Sequence, residues 1–172
     1  YEAEYHEDGT LKSFTPINDH APAVVRKQIV MDVTDAPYPQ KPVVPFIKAT
    51  QDRVVLEIQR GCIRGCRFCQ AGFIYRPLRD KHYDTLNKDA HGLCDTSGYE
   101  ELSLTSLSTS DYKEIEPLLD DLLNWTTDEK VSLSLPSLRV DNLSKELMEK
   151  FQKLTPEQSQ HILAIMDDIL DR

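Results

Sequence analysis

Three of the four cysteines, Cys62, Cys66 and Cys69, lie within one eight-residue segment. Thiolates are the ligands of iron–sulfur clusters, and the glycines beside them, Gly61 and Gly65, let the backbone fold closely around a metal group. A 4Fe–4S cluster has four irons and is normally held by four cysteines, so three ligands leave one iron open. A cluster that binds a substrate needs such an open iron. The spacing therefore predicts a metal centre with a free coordination position.

Cationic side chains surround these cysteines, and only Asp80 opposes them. They are Arg60, Arg64, Arg67, Arg76, Arg79 and Lys81. A cluster with three thiolate ligands is anionic, and neighbouring cations stabilise it. The same cations could hold a ligand carboxylate, but a solvated or neutralising role is the simpler interpretation.

Composition and charge narrow the class of protein. The chain has 172 residues, a net charge of −9 and a pI of about 5.0. A general nucleic-acid-binding module carries an excess of Lys and Arg, so nucleic acid is not the expected partner. No apolar run approaches the roughly 18 residues that a membrane span needs. The chain opens with the acidic run Tyr1 to Glu4 instead of a secretory signal, and clustered thiols are typical of a reducing compartment, which predicts the cytoplasm.

Three apolar runs predict β-strands, and each is followed by a helical pattern. The strands are expected at residues 54–58, 101–107 and 131–135, and the helices at 83–98, 111–123 and 143–154. Pro117 either starts the second helix or kinks it after one turn. This alternation predicts an α/β protein with parallel strands joined by crossovers. The cysteines would then lie on the loop that leaves the carboxyl end of the first strand.

The remaining segments give the expected domain organisation. Residues 1–50 predict a hairpin around Asp8-Gly9 and then a Pro-rich connecting segment. Residues 51–153 hold the three strand–helix units, and residues 154–172 predict a capped amphipathic helix. Because the chain opens with Tyr1, without a Met, we expect it to be a segment of a longer protein.

Three stretches of sequence resemble one family closely. They are RGCIRGCRFCQAGFIYRPLRD, TSGYEELSLTSLSTSDY and KVSLSLPSLRVD, and the first holds the CxxxCxxC spacing with Phe68 before its last cysteine. This pattern resembles the radical S-adenosylmethionine (radical SAM) superfamily. Within it, the chain is similar to uncharacterised proteins that carry an upstream cobalamin-binding-like domain, over about residues 1–153. Residues 154–172 do not resemble the family.

The resemblance implies a fold and a set of cofactors. The fold would be a partial (β/α) barrel of the radical SAM type. Cys62, Cys66 and Cys69 would ligate a 4Fe–4S cluster, and S-adenosylmethionine would chelate its fourth iron. Reductive cleavage would give methionine and a 5′-deoxyadenosyl radical that abstracts hydrogen from an unknown substrate. Flavodoxin or ferredoxin would donate the electron, and any cobalamin would be bound by the upstream domain.

The resemblance also implies residues that contact S-adenosylmethionine. Phe68 would lie near the adenine. Ser108 and Ser110 occupy the position of the family's Gly-Gly-Glu-like motif, which this chain lacks, and they are candidates to bind the methionine amino group. Ser137 and Arg139 would reach the ribose or the carboxylate. No catalytic residue is assigned.

Two alternatives stay open at the level of sequence. One is a methylthiotransferase-like enzyme that modifies RNA or a ribosomal protein, which shares the cysteine loop. The other is a non-catalytic fragment that holds zinc or an inert cluster, with Cys94, His82 or His91 as the fourth zinc ligand. Zinc sites usually show two separated ligand pairs, and Cys94 is better explained as a small residue on the inner face of its helix. We also expect a partial barrel of three strand–helix units to be too short for catalytic turnover by itself.

Overall fold

The fold was analysed in a computed structural model, which describes residues 1–142 together with Ser144, Leu147 and Lys150. The chain divides into two compact units, Tyr1–Val30 and a second unit that begins at Met31. Much of the Pro-rich segment expected to connect the domains, residues 31–50, therefore belongs to the second unit.

The first unit contains an antiparallel hairpin of β1 (Glu2–Tyr5) and β2 (Leu11–Thr15). Its turn lies at Asp8-Gly9, as the sequence predicts. Gly9 has a φ of 82°, a left-handed conformation that glycine adopts without strain. The Asp8 carboxylate accepts hydrogen bonds from the backbone N–H and the hydroxyl of Thr10, which fixes the turn.

The second unit is built on a parallel sheet of three strands. They are β3 (Val54–Glu57), β6 (Glu101–Thr105) and β7 (Ser132–Ser134), in the order β3-β6-β7. Val54 pairs with Leu102, and Leu102 pairs with Leu133. Because the strands are parallel, their carboxyl ends meet at one edge of the sheet. The loops that follow them are thereby brought together.

Two helices make the crossovers and supply the core. The first, α2 (Tyr83–Ser97), buries Leu86, Ala90 and Leu93, and it ends at Gly98 in the left-handed conformation. The second is α3 (Ile115–Glu129). Its apolar side packs with that of α2 and with the inner strand residues in one cluster. The predicted apolar stripes are thus core, as expected from their spacing.

The second helix begins later than the sequence suggests. Residues Thr109–Asp111 form a separate 3-10 turn, and α3 starts at Ile115. Pro117 explains the delay, because its ring would clash with the carbonyl of Lys113 if the helix extended back that far. In the first turn of α3, by contrast, its missing N–H costs nothing. Of the two predicted roles of Pro117, the structure shows the helix start.

The structure also has a second, smaller pair of strands that the sequence patterns do not predict. Strand β4 (Gln59–Arg60) continues from β3 and pairs antiparallel with β5 (Arg79–Asp80). The short helix α1 (Ala71–Ile74) lies between them. Residues 61–78 thus form an excursion that leaves the sheet and returns to it, and all three cysteines of the motif lie on it.

The described residues form no closed barrel, so the partial barrel remains a prediction. Most of the predicted third helix, including Leu143, Phe151 and Leu154, and the whole of the helix at 154–172 fall outside the described residues. The Ser144 hydroxyl accepts a hydrogen bond from the Leu147 backbone N–H at 3.0 Å, the contact that a serine makes when it caps a helix. Within the described part of the chain, no helix combines the length and apolar character that a membrane span requires.

Candidate metal centre

The cysteine loop begins directly after β4, at the carboxyl edge of the parallel sheet. Cys62 is buried, whereas Cys66 and Cys69 are partly exposed. Residues 62–66 have no regular structure, and a turn follows in which the Cys69 backbone N–H donates to the Cys66 carbonyl at 3.0 Å. This hydrogen bond brings the backbones of Cys66 and Cys69 close together in space.

Two glycines let the loop pack against its own return segment. Gly61 has a φ of 105°, and a Cβ atom there would clash with the backbone carbonyls of Tyr75 and Pro77. A Cβ atom on Gly72 would clash with the backbone carbonyl of Arg64. Gly65 differs, because no atom lies within 4 Å of the place its Cβ would occupy. Close packing therefore requires glycine at the first two positions but not at Gly65.

The three thiols are on one loop but not in one ligand set. Among the described residues, no three His, Cys, Asp or Glu side chains are grouped as a bound metal ion would need them. The donor chemistry nevertheless fits a 4Fe–4S cluster, since three soft thiols share a short loop with little regular structure. The backbone places all three cysteines on one loop. To bind a cluster, their side chains would have to move closer together.

Arg64 joins the cysteine loop to the end of β6. Its guanidinium makes a two-pronged ion pair with Asp111, through Nε–H to Oδ2 at 2.8 Å and through Nη2–H to Oδ1. The Asp111 carboxylate also accepts hydrogen bonds from the Ser108 hydroxyl at 2.7 Å and the Asn142 amide at 2.8 Å. The Asp111 side chain is only 3% exposed. Hydrogen bonding from Arg64 lowers the pKa of this carboxyl below its usual value.

Arg139 reaches the same loop from the end of β7. Its Nη1 lies 3.4 Å from the Cys66 sulfur, and its Nε and Nη2 donate to the Asp141 carboxylate at 2.9 and 2.8 Å. The hydrogen bonds to Asp141 and Cys66 raise the pKa of Arg139. A guanidinium is charged at any working pH, so Cys66 has a fixed cation beside it.

The loops after β6 and β7 are also tied together. The Arg139 backbone N–H donates to the Ser110 hydroxyl at 3.0 Å, and the Thr109 N–H donates to the Ser137 carbonyl at 3.1 Å. Ser137 has a φ of 60°, which is uncommon for a residue with a side chain. Three strand ends thus share one connected polar network with the cysteine loop.

The residues expected to contact S-adenosylmethionine are distributed unevenly over this network. Ser108 and Ser110 are buried, and their hydroxyls are hydrogen bonded to Asp111 and to the Arg139 backbone. Ser137 is exposed. Phe68 is 92% exposed on the cysteine loop, so its ring is accessible. The structure brings Arg139 into contact with the cysteine loop, connects Ser108 and Ser110 to that loop through Asp111 and Arg139, and leaves Phe68 at the surface.

Three further residues of this network were not singled out from the sequence as site residues. Asp111 stands at the predicted start of the second helix, and no motif in the sequence includes Asn142. Gln59 is buried at the start of β4, and its side-chain amide donates to the Ser108 carbonyl at 2.6 Å. The only sequence signal for the three is that each follows a strand of the parallel sheet.

The three candidates for a fourth zinc ligand have neighbours outside the cysteine loop. Cys94 is buried in the apolar core on α2, where desolvation raises the pKa of its thiol to about 11. The Nδ1 atom of His82 lies 3.5 Å from the Oδ2 atom of Asp84, and the Nε2 atom of His91 lies 3.2 Å from the Oε1 atom of Glu129. His91 also packs edge-on against Trp125. The placement of Cys94 on the inner face of its helix is confirmed.

Comparison with known proteins finds similarity to a protein that is itself uncharacterized, so it does not indicate a function. No protein-family model matches the chain. The chain is similar to an uncharacterized protein of Methanocaldococcus jannaschii, with 34% identity over 134 residues. The matched region covers 73% of this chain and 29% of that relative. The chain therefore spans less than a third of the length of the protein it resembles.

Proposed function

We propose that this chain is part of a radical SAM enzyme and holds a 4Fe–4S cluster through Cys62, Cys66 and Cys69. The observation that supports the proposal is the arrangement at the carboxyl edge of the sheet. A loop with three thiols lies there beside the ends of β6 and β7, and Arg139 contacts one of its sulfurs. Active sites of (β/α) barrels lie at this edge of the strands.

The cysteines would act as ligands of unequal accessibility. Cys62 is buried, so its thiolate would face the interior of the loop, whereas Cys66 and Cys69 are closer to solvent. When bound, a reduced 4Fe–4S cluster supplies the electron that cleaves S-adenosylmethionine to methionine and a 5′-deoxyadenosyl radical. The cation of Arg139 would offset the negative charge at Cys66.

Other residues would hold the loop and bind S-adenosylmethionine. The Arg64–Asp111 ion pair would keep the cysteine loop against the end of β6. Phe68, being exposed, is free to pack against the adenine. Ser108 and Ser110 would act near the methionine amino group, and Ser137 and Arg139 near the ribose or carboxylate.

The proposal extends to partners that the chain itself does not contain. Flavodoxin or ferredoxin would supply the electron, and an upstream cobalamin-binding-like domain would bind any cobalamin. A cytoplasmic location follows from the need to keep the thiols reduced. The chain covers only part of its archaeal relative, so turnover would require regions beyond this segment.

The surroundings of the alternative ligands favour a cluster over zinc. A structural zinc site requires a fourth protein ligand. Cys94 lies in the core, and His82 and His91 each face carboxylates. A three-thiolate cluster needs no fourth side chain, because S-adenosylmethionine would occupy the remaining iron.

Metal analysis of matched variants tests this proposal. The full chain is reconstituted anaerobically with iron and sulfide, and bound iron, sulfide and zinc are measured. Replacing Cys62, Cys66 or Cys69 with Ala should remove the iron and sulfide, whereas Cys94→Ala, the matched control, should retain them. Equal loss in Cys94→Ala, or zinc without sulfide in the unaltered chain, would contradict the proposal.

A further inference from the structure

Two facing residues stand at the base of the cysteine loop. Gln59 on β4 and Asp80 on β5 are direct partners in the antiparallel pair, and residues 61–78 lie between them in the chain. At the next pair, the Lys81 backbone N–H donates to the Ile58 carbonyl at 3.0 Å. Because the two kinds of pair alternate along an antiparallel ladder, Gln59 and Asp80 form the non-hydrogen-bonded kind, in which opposite side chains are closest. Their side chains therefore leave the ladder on the same side, next to each other.

Each of these two side chains has a buried oxygen without a partner. The Gln59 side chain belongs to a residue that is 3% exposed. In the part of the chain that the structure describes, Gln59 Oε1 and Asp80 Oδ1 are the buried side-chain oxygens that accept no hydrogen bond. Buried acceptors are nearly always satisfied. Both exceptions occupy one pair of facing positions, which indicates a single shared cause.

The Gln59 amide cannot supply the donor that these oxygens need. Its Nε2 donates to the Ser108 carbonyl at 2.6 Å, and turning the amide around would set Oε1 against that carbonyl. Oε1 therefore stays an acceptor. An ionised carboxylate also only accepts, whereas a protonated carboxyl group has an O–H to donate. A proton on Asp80 would give the pair its missing donor.

The surroundings of Asp80 favour that proton. Desolvation raises the pKa of this carboxyl above its usual value, while the Lys113 cation acts to lower it and the Glu114 carboxylate to raise it. Lys113 and Glu114 are adjacent, directly before α3, so their effects oppose each other. Tyr112 on the same segment is neutral, and its hydroxyl donates to the Lys81 carbonyl at 2.7 Å. The neighbours of Asp80 along β5 face the other side of the ladder.

We propose that Asp80 carries a proton that it donates to Gln59 Oε1, and that this hydrogen bond holds the base of the cysteine loop closed. Ionisation of Asp80 breaks the bond and leaves two acceptors side by side, so the base of the loop loosens as the pH rises. Asp80 is partly exposed, which lets its carboxyl exchange the proton with solvent. The two residues are positioning residues for the loop, whatever the cysteines bind.

The same bond connects the base of the loop to its middle. Gln59 is bonded to the Ser108 carbonyl, and the Ser108 hydroxyl donates to Asp111, the ionic partner of Arg64 on the loop. A change at Asp80 therefore reaches the cysteine motif through side chains that are already in contact.

NMR of the isotope-labelled full chain, without added metal, tests the shared proton. The Asp80 side-chain carboxyl carbon should titrate with a midpoint above the usual 3.8, and the Gln59 side-chain amide should shift with the same midpoint. A purely structural contact would not give the amide that midpoint. A midpoint at or below 3.8, or a Gln59 amide that does not follow it, would overturn the proposal.

Asp80→Asn gives a second test that needs no acid. Its amide N–H replaces the carboxyl O–H at every pH and keeps the bond to Gln59. Because the Asp80 pKa is raised in the folded chain, the stability that the proton contributes is present at acidic pH and lost as the pH rises through that pKa. At about pH 8 the variant should therefore melt roughly 2–4 °C above the unaltered chain, and the difference should shrink on acidification.

Hydrogen exchange locates the effect in the loop. At about pH 8, the backbone amides of Arg60 and Arg79 should exchange about fivefold more slowly in Asp80→Asn than in the unaltered chain. Asp35→Asn, at an exposed position in the same unit, is the matched control and should change neither melting nor exchange. An Asp80→Asn variant that melts at or below the unaltered chain at about pH 8, or that matches the control in exchange, would overturn the proposal.

Discussion

Arg64 of the cysteine loop and Asp111 after β6 form a two-pronged ion pair whose carboxylate is almost fully buried. The partners are 47 residues apart in the chain. The pair ties the CxxxCxxC motif to the sheet at the edge where all three parallel strands end. In the proposed enzyme, this ion pair would fix the loop before a cluster is bound.

Removing the Asp111 charge should loosen the loop. In Asp111→Asn, Arg64 loses its closer ionic partner, whose side chain is buried, and keeps only the longer contact with Asp141 at 3.8 Å. The melting temperature should therefore fall by roughly 3–6 °C. Asp120→Asn is the control, because Asp120 pairs with Lys150 at the surface, where ion pairs contribute little. Thermal unfolding followed by circular dichroism measures both. Equal effects of the two substitutions would show that the buried pair has no special role.

Gly61 and Gly65 should differ in how well they tolerate replacement by alanine. Gly61→Ala places a Cβ against the Tyr75 carbonyl at a left-handed φ, a strain of about 1–3 kcal/mol before the clash is counted. The loop should shift, and iron content after reconstitution should drop sharply. Gly65→Ala meets no neighbouring atom and should load iron like the unaltered chain. Full iron loading in Gly61→Ala would contradict the close packing described for the loop.

The four thiols should react at different rates with iodoacetamide. Since desolvation raises the Cys94 pKa to about 11, only about 0.1% of this thiol is ionised at pH 8. Cys94 should therefore be alkylated most slowly, and its rate should rise as the pH approaches 11. Cys66 and Cys69 are partly exposed and should react first. Peptide mass spectrometry reads each site. Reconstitution should protect Cys62, Cys66 and Cys69 without affecting Cys94, and a different protected set would contradict the ligand assignment.

Arg139 should contribute to S-adenosylmethionine binding more than to cluster assembly. Arg139→Gln removes the cation beside Cys66, so affinity for S-adenosylmethionine should fall tenfold or more while bound iron is retained. Equilibrium dialysis of the reconstituted chain measures the affinity, and Arg26→Gln, at an exposed position in the first unit, is the control. Loss of iron in Arg139→Gln would instead make Arg139 a part of the cluster's support.

Sequence patterns predicted the positions of the main elements but not the network at the metal centre. The hairpin at Asp8-Gly9, the three strands and the helix ending at Gly98 follow from local periodicity and turn chemistry. Strands β4 and β5, of two residues each, are too short to show a period. The Arg64–Asp111 pair depends on how far apart two loops lie in space, which no local pattern encodes. Ser108 and Ser110 looked like available hydroxyls, yet folding engages both with neighbours.

Electron paramagnetic resonance of the reconstituted, dithionite-reduced chain, with and without S-adenosylmethionine, tests the central claim most directly. We expect a reduced 4Fe–4S signal whose shape changes when S-adenosylmethionine is added, because the fourth iron has no protein ligand. A 4Fe–4S signal that is indifferent to S-adenosylmethionine, or no signal from protein that retains zinc, would contradict the account.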